Sequence, residues 1–302
     1  MSKDHIQYSI IIPHFNIPKL LKRCLLSIPN REDTQVIVVD DCSSIDNIQK
    51  LKEMEEFFPY VEFVYSEVNG GGGKARNIGL EHAKGKYVLF ADADDCFNYC
   101  INDILDEYKD ETKDIVFFNA NCIDADTYLM FDRLTTLKSI LIRYRKKHDM
   151  SLFRYIMGEP WCKLIRREVI VENNVTFDEL PVHNDTKFSY MVGYYAKEVK
   201  FDNRAIYCLI DRANSVSKQV DASKQQLRVR IFSEKNAFLR DHNIHLFDYL
   251  LLNPFQYYLK RFDFKNLSLC FSIASGYGFS KCFLIAKLIK RYYRAIIFGE
   301  IN

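Results

Sequence analysis

The chain has 302 residues, 48% apolar and 14% aromatic, enough for a packed core, so wholesale disorder is excluded. Its 42 basic and 40 acidic side chains leave a formal charge of +2, which excludes a nucleic-acid binder held mainly by phosphate contacts. Nine cysteines lie scattered from Cys24 to Cys282 with no C-x-x-C pair, which points to reduced thiols in a cytosolic protein rather than a disulfide framework or a zinc ribbon.

Residues 8–12 (YSIII) form an apolar run stopped by Pro13, as expected of a buried strand in a parallel sheet. Pro18 opens a helical stretch to Leu26, with Leu20, Leu21, Cys24 and Leu25 on one face. A second strand, 35–39 (QVIVV), ends at Asp40 and Asp41, and a helix over 46–57 and a strand over 61–65 follow. A glycine-rich turn, 70–73, leads into a helix from about 74 to 83. The strand 87–91 runs into Asp92-Ala93-Asp94-Asp95, and a helix near 101–108 and a strand over 115–119 complete the pattern. Strands separated by helices of this length make right-handed crossovers in a mostly parallel sheet, so the predicted class is α/β.

After about residue 126 the alternation loosens. Helices are predicted over 137–147 and 163–172, on either side of a Gly158-Glu159-Pro160 break. A turn-rich stretch, 177–185, precedes a helix near 186–196, and 199–201 and 205–209 read as short strands. From about residue 221 the chain reads as helical. The expected division is 1–125, 126–217 and a helical extension, 218–302. The N-terminus is polar and unlike a secretory signal, and the longest uncharged stretch toward the C-terminus, 266–280, is too short to span a bilayer. The expectation is a soluble or peripheral intracellular protein.

Ligands of open α/β sheets bind outside the carboxyl ends of the strands. Three such ends carry suitable side chains: Pro13-His14-Phe15-Asn16, Asp40-Asp41 and Asp92-Ala93-Asp94-Asp95. An aromatic such as Phe15 can cover a base, and a carboxylate such as Asp41 can accept from an N–H of uracil or cap the next helix. Asp92 and Asp94, two apart, can face one ligand, and clustered carboxylates are costly without a cation. Oxygen ligands of this kind suit Mg²⁺ or Mn²⁺ bridging a diphosphate. The run Asn69 to Gly79 (NGGGGKARNIG) sets a flexible loop before a helix N-terminus, a natural anion site with Lys74 and Arg76 beside it. It is not a Walker A loop, because Ala75 follows Gly73-Lys74.

Four motifs in order, Ile-Ile-Pro-His-Phe-Asn (11–16), Val-Val-Asp-Asp-Cys-Ser (38–43), Gly-Lys-Ala-Arg-Asn-Ile-Gly (73–79) and Phe-Ala-Asp-Ala-Asp-Asp (90–95), resemble the family-2 glycosyltransferases of the GT-A fold. The resemblance is close over 7–125, which it makes the nucleotide-sugar-binding half, with 126–217 the acceptor-binding half. It implies a UDP-sugar donor held by Pro13, Phe15, Asn16, Asp40, Asp41, Gly73, Lys74, Arg76, Asn77, Asp92 and Ala93. It makes Asp94 the principal metal ligand, with Asp92 on ribose or metal and Mn²⁺ or Mg²⁺ as the ion. In the second half, Trp161-Cys162-Lys163, Phe177 and Asn184-Asp185 resemble the acceptor-side segment, implying substrate contacts from Trp161 and Lys163. Asp185 would be the general base, with Asn184 where the family usually has glutamate. The stretch 207–217 adds Arg212 and Ser215 as phosphate contacts, and His183 is a further metal candidate. One base opposite the leaving group implies inversion, moving one sugar to a glycan or lipid-linked acceptor.

Residues 260–302 hold eight basic and two acidic side chains. On a helical wheel over 281–298, Lys287, Lys290, Arg291 and Arg294 share one arc, with Leu284, Ile285, Leu288, Ile289, Tyr292 and Ile296 opposite. That pattern predicts either peripheral contact with the inner face of the cell membrane or packing on its own domain. Gln225-Gln226-Leu227-Arg228-Val229 nearly matches the Q-x-x-R-W pattern of processive synthases, with Val229 in the tryptophan's place. Two rivals are a sugar-phosphate nucleotidylyltransferase and a UDP-binding module that has lost catalysis. The first normally has a glycine-rich loop where Pro13-His14-Phe15-Asn16 stands.

Overall fold

Strand β1 (Tyr8–His14) is buried along almost its whole length and pairs in parallel with β2 (Thr34–Asp40). Ile10, Ile11 and Ile12 are fully buried, each contributing roughly 1.5–3 kcal/mol. Pro13 does not stop this strand. Its missing N–H would point toward β4 (Tyr87–Phe90), which pairs only as far as Ile11, so no ladder bond is lost. A computed structural model describes residues 6–131, 133–212 and 222–298, with side chains up to residue 293.

The order of the eight-stranded sheet is β3-β2-β1-β4-β7-β6-β8-β5. Strand β3 is Val61–Tyr65, β5 Cys96–Phe97, β6 Ile115–Asp124, β7 Lys163–Arg166 and β8 Val199–Asp211. Only β7 and β5 run against the other six. The C-terminal ends of β1, β2, β4, β6 and β8 therefore share one edge. Helices α1 (Pro18–Leu26), α2 (Ile45–Phe57), α3 (Gly71–His82) and α4 (Ile101–Glu107) link the first strands. Beyond them lie α5 (Thr135–Lys147), α6 (Ser151–Tyr155), α7 (Arg167–Glu172) and α8 (Thr186–Tyr195).

Three expectations are corrected. Residues 163–166 are a strand rather than the start of a helix, because they fill the slot between β4 and β6, where both neighbours supply hydrogen bonds. The glycines at 71–73 are the first turn of α3 rather than a loop. The two short strands at 199–209 are one strand with a register shift opposite Phe118–Ala120. Because β7 lies between β4 and β6, residues before and after 125 build one sheet. The chain divides into two compact units, Met1–Ala213 and Asn214–Asn302.

The second unit holds α9 (Gln225–Asp241), α10 (Asn253–Lys260), α11 (Phe264–Gly276) and α12 (Lys281–Phe298) around a core that includes Val229, Phe232, Leu252, Phe255 and Leu284. Lys235 and Asp248 form a buried ion pair of 2.6 Å inside it. The wheel for α12 is corrected at Arg291. That guanidinium is buried beside Leu284 and Leu288, donating to the Tyr249 carbonyl (3.1 Å) and to Asn253 Oδ1 (2.7 Å), while Ile285 and Ile289 are exposed. Side chains of Arg294 and Ile296 lie outside the described residues. No single helix among the described residues is long and apolar enough to cross a membrane; α11 and α12 pass that test only as a pair bent by 114°.

Candidate active site

At the shared edge β4 runs into the turn 91–95, and Tyr207 of β8 organises it. Its hydroxyl donates to Asp95 Oδ2 (3.1 Å) and accepts from Asp92 N–H (2.8 Å), while Ile210 N–H donates to Asp95 Oδ1 (2.9 Å). Trp161 stacks on the Tyr207 ring with centroids 5.4 Å apart and an interplanar angle of 7°. Arg23 of α1 donates to the Asp94 carbonyl at 2.5 Å. Ala93 and Asp95 are thereby buried, and Asp92 and Asp94 are left partly open. Burial, with the charges of Asp92 and Asp94, drives the Asp95 carboxyl far above the carboxylate range, which makes it an anchor.

Asp92 pairs with Arg76 at 2.6 Å, and Asp94 pairs with Arg212. Burial and the charge of Asp92 hold Asp94 above its ordinary pKa, with Arg212 opposing. No other residue donates to Asp92 Oδ2 or Asp94 Oδ1 among the described residues. Two free carboxylate oxygens fit Mg²⁺ or Mn²⁺, which bind through one or two carboxylates and the phosphates of a substrate. No group of three potential ligands exists among the described residues. His183 lies in the turn before Asp185 with φ 51° and joins no such group.

Arg76 also donates to Asn184 Oδ1 (3.2 Å) and lies 5.5 Å from the Phe177 ring, so one guanidinium joins α3, the β4 turn and the N-terminus of α8. Phe177 stacks on Phe188 at 3.9 Å and both meet Phe90 edge-on, which seats this segment over β4. Asp185, at the N-cap of α8, is half-buried, and no other residue donates to its carboxylate among the described residues. Burial raises its pKa to about 6, with Arg76 opposing and Glu159 and Asp92 adding. A carboxylate so tuned can take a proton near neutral pH.

Several expected substrate contacts have other tasks. Asp40 is 1% exposed. His14 Nε2 accepts from Ile17 N–H (3.1 Å), so its Nδ1 carries the proton donated to Asp40 (2.8 Å). Ser43 donates to Asp40 through both N–H (2.9 Å) and Oγ (2.6 Å). Burial pushes the Asp40 pKa up, but these hydrogen bonds outweigh it and hold it low. Asp40 has no face left for ribose or diphosphate. The Asp41 carboxylate accepts from Gly70 N–H (2.8 Å) and Gly71 N–H (2.7 Å), capping α3 where an anion was expected. Asn16 holds Ser44 and Asn47 with its carbonyl oxygen.

Gly73 is a packing position: a Cβ there would meet the Asp178 carbonyl oxygen at 2.1 Å. The Asn77 amide is consumed in a reciprocal pair with the Phe177 backbone (2.8 and 3.0 Å). Lys163 is buried, donating to the Met157 carbonyl at 2.7 Å, and Trp161 is buried against Tyr207, so neither faces the open edge. Phe15 is 47% exposed and Lys74 half-buried, so both are accessible. Ser215 lies outside the described residues. The residues missed in the sequence are Tyr207 and Arg23, which reach the acidic turn from β8 and α1, and Glu159, whose charge acts on Asp185; none of the three leaves a local signal.

The chain matches the model of the family described as Glycosyl transferase family 2 over residues 9–173, more than half its length. This chain belongs to glycosyl transferase family 2. It is 27% identical over 226 residues to the cholesterol galactosyltransferase of Borreliella burgdorferi, covering 70% of this chain and 62% of that one. It is 37% identical over 183 residues to the poly(ribitol-phosphate) beta-glucosyltransferase of Bacillus spizizenii, covering 59% of this chain and 27% of that one. The chain thus spans less than two thirds of either relative. Among solved structures, S. aureus TarS in complex with UDP-GlcNAc has a TM-score of 0.64 at 22% identity, covering 89% of this chain and 80% of that chain. The family's GT-A fold is therefore the fold of this chain.

Proposed function

We propose that this family-2 chain moves one sugar per encounter from a UDP-sugar to a hydroxyl of a glycan or lipid-linked acceptor, with inversion and Asp185 as general base. The observation that carries the reading is the half-buried Asp185 carboxylate at the N-cap of α8, raised to a pKa of about 6 and set beside the Arg76–Asp92 pair. Asp185 takes the proton of the acceptor hydroxyl as its oxygen attacks the anomeric carbon. The bond from that carbon to the diphosphate breaks, and its electron pair leaves with UDP. Attack from the face opposite the leaving group turns an α-linked donor into a β-linked product.

Asp92 and Asp94 would hold a divalent ion, which supplies neutralising charge to the departing diphosphate. Arg76 fixes Asp92 and Asn184 together, Lys74 offers a further cation, and the exposed Phe15 ring can cover the base. The UDP-GlcNAc in the TarS complex supports the donor class. Relatives named for cholesterol and poly(ribitol-phosphate) support lipid or glycan acceptors.

The test is transfer by an Asp185→Asn variant. Its rate falls about 10²–10⁴-fold while UDP binding is kept. The wild-type rate rises with pH through about 6, as the base loses its proton. A variant at full rate would overturn the assignment.

A further inference from the structure

Between β6 and α5 the chain turns back on itself and holds four consecutive large apolar side chains in water. Tyr128, Leu129, Met130 and Phe131 are 70%, 69%, 72% and 45% exposed. Such a run is uncommon on a surface that does not bind something. The turn is a built feature. Asp124 Oδ1 accepts from Asp126 N–H (3.1 Å), Thr127 N–H (2.8 Å) and Thr127 Oγ (2.9 Å). Leu129 and Phe131 tie back to β6 through Asp124 N–H to the Leu129 carbonyl (2.9 Å) and Phe131 N–H to the Cys122 carbonyl (2.8 Å). Tyr128 stands at φ 58°, a left-handed conformation that costs an aromatic residue energy and persists only where its surroundings enforce it.

Helix α5 follows at once. Leu137, Ile140 and Leu141 are buried, and the exposed side carries Lys138, Ile142, Arg143, Arg145, Lys146 and Lys147. The helix has five basic residues and no acidic one. Arg143, Arg145 and Lys146 form no ion pair among the described residues. We propose that the Tyr128–Phe131 tip and the basic side of α5 are one docking surface for an anionic lipid bilayer. Apolar side chains enter the acyl boundary, and the cations meet lipid phosphates. A soluble polyanion would use the charges and leave the apolar tip in water. A second copy of the chain would set one cationic helix against another.

The position of the tip gives the surface a use. Ala125 N–H donates to the Asp211 carbonyl (2.9 Å), and Arg133 pairs with Asp211 at 2.7 Å, one residue before the Arg212 that meets Asp94. The tip therefore springs from the sheet edge that carries the candidate site, so docking would hold that site at the lipid surface. This deepens the reading of a lipid-linked acceptor, yet it can be measured without any transfer reaction.

The test is co-sedimentation of the full chain with phosphatidylcholine vesicles, with and without phosphatidylglycerol. The wild type binds the anionic vesicles and is released by high salt. Leu129→Ser with Met130→Ser weakens binding about tenfold or more, and Arg145→Glu with Lys146→Glu does likewise. Ile285→Ser with Ile289→Ser, on α12, changes it less than about twofold, well below a lost apolar anchor. All variants keep the melting temperature and UDP binding of the wild type, so failure here is distinct from failure of the transferase reading. Absence of wild-type binding, or loss only in the α12 variant, would overturn the proposal. So would a tip variant that binds like wild type, heparin binding that depends on the charges alone, or a dimer that the tip variant dissolves.

Discussion

Replacing Asp185 by asparagine separates catalysis from stability. Burial lifts the carboxyl from its ordinary 3.8 to about 6, a difference of about two pKa units. Each unit is worth about 1.4 kcal/mol, so holding the ionised form in the fold costs up to ~3 kcal/mol. Because Asp185 is only half-buried, water trims that to about 1–3 kcal/mol. The sign follows from proton uptake: between the unfolded and folded values the folded chain binds more protons, so its stability falls as pH rises through that window. The cost is complete above the folded value. Asparagine has the same shape and no charge to desolvate. At about pH 8 the variant should therefore be the more stable protein, with a melting temperature higher by roughly 3–10 °C for a unit of this size. At about pH 5 the gain should shrink to about half. The assay is a pair of thermal melts at the two pH values, run beside the transfer assay. A variant that melts below wild type at about pH 8, or a gap that ignores pH, would refute the burial argument.

Gly73→Ala would drive a Cβ into the Asp178 carbonyl oxygen, 2.1 Å away, at a cost of about 1–3 kcal/mol. Its melting temperature should fall and transfer should slow, because the displaced segment carries Asn184 and Asp185; unchanged melting would contradict the packing role. Tyr207→Phe removes the hydroxyl shared by Asp92 and Asp95, so a loss of about 1–3 kcal/mol and weaker UDP binding are expected in melts and calorimetry. Asp40→Ala strands His14 and Ser43 and should cost about 2–4 kcal/mol of stability while the folded fraction keeps UDP affinity within about threefold. Lost UDP affinity at unchanged stability would make Asp40 a ligand contact.

The first half of the fold was legible because each strand begins as a short apolar run and each helix between is long enough for a crossover, although Pro13, read as the end of the first strand, lies inside it. Residues 163–166 were not, since four residues of mixed character become a strand only when β4 and β6 flank them. Glycines 71–73 read as a loop by propensity, yet Asp41, thirty residues earlier, caps them into a helix. The acidic turn at 92–95 announced itself, but its orientation rests on Tyr207 and Arg23, which only the sheet brings near. Asp40 read as a ligand because a sequence does not reveal that His14 and Ser43 already satisfy it. A helical wheel treats every basic residue as solvated, so Arg291, which instead holds the Tyr249 carbonyl, was misassigned.

The central claim is that Phe15 after β1, Arg76 of α3 and Asp92–Asp94 after β4 form a UDP site with a divalent ion. Calorimetric titration of UDP, with Mn²⁺ and then with EDTA, tests it directly. Binding should require Mn²⁺, and Asp94→Asn should weaken it at least about tenfold, the loss expected for a metal-bound carboxylate. UDP binding that EDTA and Asp94→Asn leave untouched would contradict the metal assignment, and no UDP binding under either condition would contradict the site itself.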